Sequence, residues 1–468
     1  MPHRLLVRLA LLSAALMTSA ARAADTQKPN LVVFLTDDHS RADSSVYGSP
    51  DVKTPHMDRV ARAGLVFDRA FVASPSCAPS RAALLTGLTP ARNGAEANHS
   101  KPRAEIKKLP AYLKELGYEV VSFGKVSHYQ HTADYGFDHW AHDKYHEDVA
   151  VPNAVAWLRA RKSTKPLAFF VGTNWPHVPW PQTGEGYTAA GVRIPPQHVD
   201  TPITREARAQ YYAAVGRMDA ELGAVFDAAN EVLGANTLFL TTSDHGAQWP
   251  FSKWSLYEAG IRTPMIAVWP GKVGAGTRTD AMVSWLDILP TLVDVAGGTA
   301  PAGIDGKSFG PVLRGERATH RDRIFTTHSS DGRWNIYPMR SLRTDGWKYI
   351  RNLRPEFYYA THVDLVKTAD RPPYFDSWDA AAKTDPRAAA IVKRYHERPA
   401  EELYDLRADP GELTNLAADP RHAARLAEMR AAVAAQMKAE GDQGTVFGTP
   451  RLLTDADRAA PRDPPGKK

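Results

Sequence analysis

Leu31-Val32-Val33-Phe34-Leu35-Thr36 runs without a charge into Asp37-Asp38-His39. Three further stretches have the same form. Tyr118 to Phe123 leads into Gly124-Lys125, with His128 just beyond. Leu167-Ala168-Phe169-Phe170-Val171 leads towards Trp175-Pro176-His177. Thr237-Leu238-Phe239-Leu240-Thr241-Thr242 leads into Ser243-Asp244-His245-Gly246. Runs this short, apolar on both faces and rich in Val, Leu and Phe, predict strands of a parallel sheet covered on both sides. Helical patterns lie between them, over Met57 to Ala63, Leu109 to Leu116 and Arg205 to Asn230. The alternation predicts an α/β fold, a large mostly parallel sheet sandwiched by helices. Ligands of such sheets bind outside the carboxyl ends of the strands. All four polar clusters fall there.

The pattern changes after about Arg333. Met339 to Thr344, Asp345-Gly346 and Trp347 to Arg351 predict a hairpin with a two-residue turn. Glu402 to Leu406 is a further short strand, and Arg421 to Glu440 a helix with Leu426, Met429, Val433 and Met437 along one face. A smaller C-terminal antiparallel sheet plus helix is expected. The domains read as 1–23 signal peptide, 24–333 catalytic domain, 334–448 C-terminal subdomain and 449–468 flexible tail.

The leader reading rests on Arg4 and Arg8, an apolar stretch from Leu9 to Met17, and Ala21-Arg22-Ala23 as a cleavage site. That stretch is too short to span a bilayer. No cysteine follows it, which excludes a lipid-modified N-terminus. The expectation is a periplasmic or secreted protein without integral membrane contact. The roughly 445 remaining residues are too many for a single core. Losing Arg4, Arg8 and Arg22 lowers the net charge from +6 to +3, too little to argue for nucleic acid.

Cys77 is the only cysteine. It cannot form an intramolecular disulfide, and a free thiol is a liability in an oxidising compartment. Pro79 suits a first helical turn and Ala82-Ala83-Leu84-Leu85 continues it, so Cys77 falls at a helix N-terminus, where negative charge is favoured. Taken by itself it is an activated thiolate or a small buried hydrophobe. Asp37, Asp38 and Asp244 repel one another unless a cation joins them, and oxygen donors select Ca²⁺ or Mg²⁺. Alternatively, Asp37 and Asp38 only cap a helix. His245 adds a nitrogen ligand or a hydrogen bond. Arg81, Lys125, His128, His177 and Lys253 bring cations and proton carriers to the same edge, a set suited to a tetrahedral oxyanion. Each alone is a weak signal: Lys253 also reads as a solvated surface lysine and His128 as a satisfied loop histidine. His131, His139, His142 and His146 are too irregularly spaced for zinc and read as a polar loop. Trp175, Trp180, Trp249 and Trp254 either stack on sugar rings or pack loops.

Cys77-Ala78-Pro79-Ser80-Arg81, ending in Leu85-Thr86-Gly87, resembles the signature of the type I sulfatases of the alkaline phosphatase-like superfamily. Asp37-Asp38, Gly124-Lys125, Pro176-His177, Asp244-His245-Gly246 and Lys253 match that family's other active-site segments in order. Glu402 to Leu406, with Asp409-Pro410 and Asn415-Leu416, is similar to its C-terminal domain. The resemblance implies that Cys77 is converted to formylglycine by a formylglycine-generating or anaerobic sulfatase-maturing enzyme. One hydroxyl of the hydrated aldehyde would take the sulfate, and the other would lose a proton to expel it. The resemblance also implies a metal site of Asp37, Asp38, Cys77, Asp244 and His245, holding Ca²⁺ in preference to Mg²⁺. Arg81 and Lys125 would brace the hydrate and the sulfate, Lys253 would contact the sulfate, His177 would protonate the leaving atom, and His128 would be the base. The three-residue step from Lys125 to His128 resembles iduronate-2-sulfatases. The short gap from Asp244 to Lys253, and Asn335 to Ser341, resemble sulfamidases, although those carry Arg in place of Lys253. The implied substrate is a sulfated saccharide of heparan type, cleaved at an N- or O-sulfate. The competing readings are a metal-dependent phosphohydrolase of the same superfamily and an inactive protein that binds sulfated glycans. Residues from Asn98 to Lys108 are expected to line the entrance.

Overall fold

The computed structural model describes residues 28–142, 148–366 and 372–456. The expected signal peptide and His146 therefore lie outside the described residues. An eight-stranded sheet forms the centre. Its order across the molecule is Thr277–Thr279, Leu65–Phe67, Met265–Val268, Thr237–Ser243, Asn30–Thr36, Leu167–Gly172, Glu119–Gly124 and His139–Ala141. Only Met265–Val268 runs against its neighbours. The four runs read from the sequence are the four adjacent central strands. Leu31 to Leu35 have no exposed surface, which is why they are apolar on both faces.

The helices that touch one another form two groups. Pro55–Ala63 and Ala150–Ala160 pack on Pro202–Leu233, while Cys77–Thr86, Leu109–Glu115 and Ile288–Val295 pack together. The long helix starts where its sequence dictates: Thr201 Oγ1 accepts from the Thr204 N–H at 3.1 Å, and Pro202 takes the first turn.

Parallel register brings the polar clusters to one edge. Thr36 lies beside Ser243, Leu35 beside Gly172, and Gly124 beside Gly172. The chain therefore leaves all four strands at the same height. Gly124 and Gly172 permit the close approach. A Cβ on Gly172 would sit 2.3 Å from the Lys125 carbonyl, and one on Gly124 would sit 2.0 Å from the Gly172 oxygen.

A four-stranded antiparallel sheet follows, in the order Ile324–Asp331, Asn335–Arg343, Trp347–Asn352 and Glu401–Asp405. The Asp345-Gly346 hairpin is present, with Thr344 N–H bonded to Trp347 O at 2.8 Å. Helix Ala423–Glu440 lays Leu426, Met429 and Val433 on Phe325, Leu342, Tyr349 and Leu403. This sheet begins at Ile324, upstream of the boundary read after residue 333: Asp331-Gly332, with Gly332 at φ 52°, turns the chain between the first two strands of the sheet and does not mark its start. The stretch read as a tail is pinned at its start. Arg451 is buried, donates to Arg333 O at 2.9 Å, and accepts from the Tyr358 N–H at 2.8 Å. Among the described residues no helix is long and apolar enough to cross a membrane.

Candidate active site

Cys77 is the first residue of helix Cys77–Thr86, all of which is buried. Gly87 ends that helix in the left-handed region at φ 67°, its N–H bonded to Ala83 O at 2.8 Å. The helix points its N-terminus at the sheet edge. Cys77 Sγ lies 3.3 Å from His245 Nε2, 3.7 Å from Lys125 Nζ and 3.9 Å from Asp37 Oδ1. Asp37, Cys77, Asp244 and His245 each offer a ligand atom within 4.8 Å of the others, as do Asp38, Cys77 and His177.

Arginine and lysine side chains tie the carboxylates together. Arg81 has no exposed surface. Its Nε and Nη2 lie 3.0 and 2.9 Å from Asp244 Oδ2, its Nη2 3.4 Å from Asp37 Oδ1, and its Nη1 donates to the Lys125 carbonyl. Lys125 Nζ pairs with Asp37 Oδ2. Lys253 Nζ lies 2.8 Å from both oxygens of Asp38. Ser80 Oγ donates to the Asp244 carbonyl at 2.7 Å, which gives the serine of the motif a structural task.

Burial raises Asp37, but Lys125, His177 and Arg81 outweigh it and hold the carboxyl well below its usual range. Burial pushes Asp38 up to about 7 against the pull of Lys253, and Asp37 and Asp244 add to the rise. Burial lowers His245 to about 4, so it is a neutral ring able to ligate. The thiol of Cys77 is lifted to about 12 by burial, with Lys125 and Lys253 pulling the other way. That is the reverse of what a plain activated thiolate requires.

The donor set suits a hard divalent cation. Three carboxylates and a neutral imidazole converge, and Asp38 near 7 marks a place where bound positive charge replaces a proton. Three carboxylates already face three fixed cations, so a divalent ion would leave the site positive by two charges. A tetrahedral oxyanion is the complementary ligand.

The cavity above Cys77 is lined by Asn98, His99, His128, Tyr129, His177, Gln248, Lys253, Trp254, Asp331 and His362. The structure therefore brings together every residue expected in the catalytic and metal sets. Strain concentrates here as well. Asp38, His99, Tyr129, Phe251 and Trp254 all take positive φ, between 52° and 66°.

Residues 29–298 match the sulfatase family model, more than half of the chain, and residues 244–371 match the N-sulphoglucosamine sulphohydrolase C-terminal model. The chain belongs to the sulfatase family. It is similar to an ulvan-active sulfatase of Formosa agariphila, at 30% identity over 93% of this chain and 86% of that protein. It is also similar to human N-sulphoglucosamine sulphohydrolase, at 27% identity over 86% and 89%. Among solved structures it shares its fold with a protein in complex with its substrate D-glucosamine-2-N,6-O-disulfate. There the TM-score is 0.66 at 21% identity, over 89% and 99% of the two chains.

In this sulfatase two of the tryptophans read as sugar platforms are packing residues. Trp180 and Trp249 are buried and stack on each other at 5.1 Å, against Tyr211 of the long helix. Trp175 sits under Arg217, and only Trp254 lines the cavity. His131, His139 and His142 gather no metal cluster among the described residues. His139 instead stacks on Trp157 and His142 on Tyr129. Tyr129, Gln248, Asp331 and His362 escaped the sequence reading. Gln248 sits four residues after Asp244, close enough to have been considered; nothing local marks Asp331 or His362.

Proposed function

We propose that this sulfatase cleaves an N- or O-sulfate from a saccharide of heparan type, using formylglycine made from Cys77 and a divalent cation, Ca²⁺ first. The observation that carries the reading is the position of Cys77. Its sulfur sits at the first turn of a buried helix, in contact range of a carboxylate, an imidazole and a lysine. The proposed metal ligands are Asp37, Asp38, Asp244 and His245, with the group at Cys77 beside them. A hydrated aldehyde supplies a hydroxyl nucleophile on a carbon that can re-form a carbonyl, and the cation supplies Lewis-acid stabilisation of sulfate oxygens.

The chain's own residues do the rest. Arg81 and Lys125 are held in place by Asp37 and Asp244, so their charge is fixed before the anion arrives. Lys253, on Asp38, is the third cation facing the cavity. His177 Nδ1 lies 2.6 Å from the Val178 carbonyl and must donate to it. A proton for the leaving atom then sits on Nε2, which makes that ring cationic 3.8 Å from Asp38 Oδ2. His128 takes a proton. The heparan lean is supported by the likeness of residues 244–371 to N-sulphoglucosamine sulphohydrolase. Export through residues 1–23 and maturation of Cys77 by a dedicated enzyme belong to the same reading.

Mass spectrometry of the Cys77 peptide, taken from protein co-produced with a maturation enzyme, tests the nucleophile. An unmodified thiol in active protein refutes it. Sulfate release is then compared across defined N- and O-sulfated glucosamine saccharides and ulvan. Preference for the heparan-type set is expected, and a clear preference for ulvan overturns the substrate assignment.

A further inference from the structure

His128 is one end of a chain of side chains that the reaction outlined above does not use. Its Nε2 lies 2.7 Å from His99 Nδ1. His99 Nε2 lies 3.2 Å from Asp331 Oδ1. Asp331 is buried, at 1% exposure, and its Oδ1 also accepts from Asn98 Nδ2 at 2.7 Å. Asn98 in turn accepts, through Oδ1, the N–H of Ala78 at 3.0 Å. One asparagine thus fixes both the carboxylate and the first turn of the Cys77 helix. His99 is held in the left-handed region at φ 66°, a cost that a loop residue bears when its side chain is wanted in one place.

The tautomers follow from this order. A carboxylate only accepts, so His99 carries a proton on Nε2 and, as a neutral ring, offers a lone pair at Nδ1. His128 must then donate from Nε2, which leaves the lone pair on Nδ1. That atom is buried and has no hydrogen-bond partner among the described residues, and the ring lines the cavity with Cys77. We infer that Asp331 and His99 are positioning residues that lock His128 as the Nε2–H tautomer, so that Nδ1 is the atom that accepts the proton. When Nδ1 takes a proton from a hydroxyl at the Cys77 position, His128 becomes an imidazolium. Its Nε2–H continues to face His99, and the new charge faces the Asp331 carboxylate through that ring. This is the logic of a base oriented by a third group, extended by one imidazole. The small C-terminal sheet supplies the carboxylate, which gives that sheet a part in the chemistry.

The groups facing this chain are the following. Lys125, Arg81, His131 and Tyr129 stand around His128; His131 stands near His99, with the Lys101–Asp134 pair beside His131; His362 and His328 stand near Asp331, with His362 Nδ1 2.9 Å from Oδ2. Lys125 and Arg81 oppose a charge on His128, so an anionic counter-group is needed for it to accept a proton.

The inference rests on the sulfatase reading, and two measurements separate their fates. The first is ¹⁵N NMR of the histidine rings in the full-length protein. The expected result is a protonated Nε2 and a bare Nδ1 on His128, shifted in His99→Ala; a proton on Nδ1 in the wild type overturns the inference, whether or not sulfate is released. The second compares an aryl sulfate with a sulfated saccharide. His99→Ala should lower kcat on both by about 10- to 100-fold, as for loss of an oriented base, with KM little changed. His99→Asn places an oxygen acceptor where Nδ1 was and should recover most of the loss. Asp331→Asn should lower kcat in the same way. If His99→Ala raises KM for the saccharide alone and leaves kcat on the aryl sulfate untouched, His99 is a substrate contact and the inference fails. If the wild type releases sulfate from neither substrate, the functional reading fails instead.

Discussion

At the scale of single residues, the site works by forcing groups of like charge together and supplying fixed counter-charge. Asp38 shows the consequence. Its folded-state pKa near 7 lies above its ordinary carboxylate value. In the metal-free protein its contribution to stability is therefore fully present below about pH 4 and is lost as the pH rises through 7. A proton and a cation compete for it. Cation affinity should rise between pH 6 and 8, by up to about tenfold per unit below 7, because one proton must leave. Calorimetric titration with Ca²⁺ at several pH values checks this, and a flat profile would exclude Asp38 as a ligand. His245, already neutral above about pH 4, adds no dependence in that window. Cys77→Ser should keep the fold and cation binding yet lose about a thousandfold or more of sulfate release, as expected when a nucleophile is removed.

At the scale of elements, the site depends on how closely neighbouring strands approach. Lys125 reaches the edge because the chain crosses Gly172 with no side chain between them. Gly172→Ala would push on the Lys125 carbonyl, the same carbonyl that accepts from Arg81. The expected cost is about 1–3 kcal/mol of stability, typical of overpacking, together with a fall in kcat larger than any change in KM. Urea unfolding and steady-state kinetics on an aryl sulfate measure the two. Unchanged kcat would show that Lys125 tolerates displacement. The strands and the Cys77 helix were legible because apolar runs, an early proline and a terminal glycine are local signals. The roles of Trp180 and Trp249 were not, since an indole that packs and one that stacks on sugar look alike in sequence.

At the scale of the whole molecule, the small sheet is more than a support. It delivers Asp331 to the cavity, and it is locked to the C-terminal segment by Arg340 and Asp442. Both side chains are fully buried, with Nη2 at 2.7 Å from Oδ1. Arg340→Met leaves Asp442 buried beside Glu96 without its partner, at a cost of about 3–5 kcal/mol. Arg340→Met with Asp442→Asn should recover part of that loss. Thermal unfolding of these two variants, Asp442→Asn alone and the wild type decides it, and additive losses would mean the pair is not coupled. Cation binding should also raise the melting temperature of the entire chain, by the linkage of ligand to fold.

Sequence by itself determined the four adjacent central strands, three of the helices between them, the mostly parallel sheet, the helix start at Cys77 and the residues at those strand ends. These follow from periodicity, from turn and cap residues, and from the rule that parallel strands end on one edge. Tertiary structure alone decided which distant groups meet. Asn98 and Asp331 are 233 residues apart in the chain, and no local preference couples them. Only the packing of the small sheet against the large one brings that carboxylate to the histidine beside Asn98, and only burial lifts the Cys77 thiol out of reach of the role its helix position suggested.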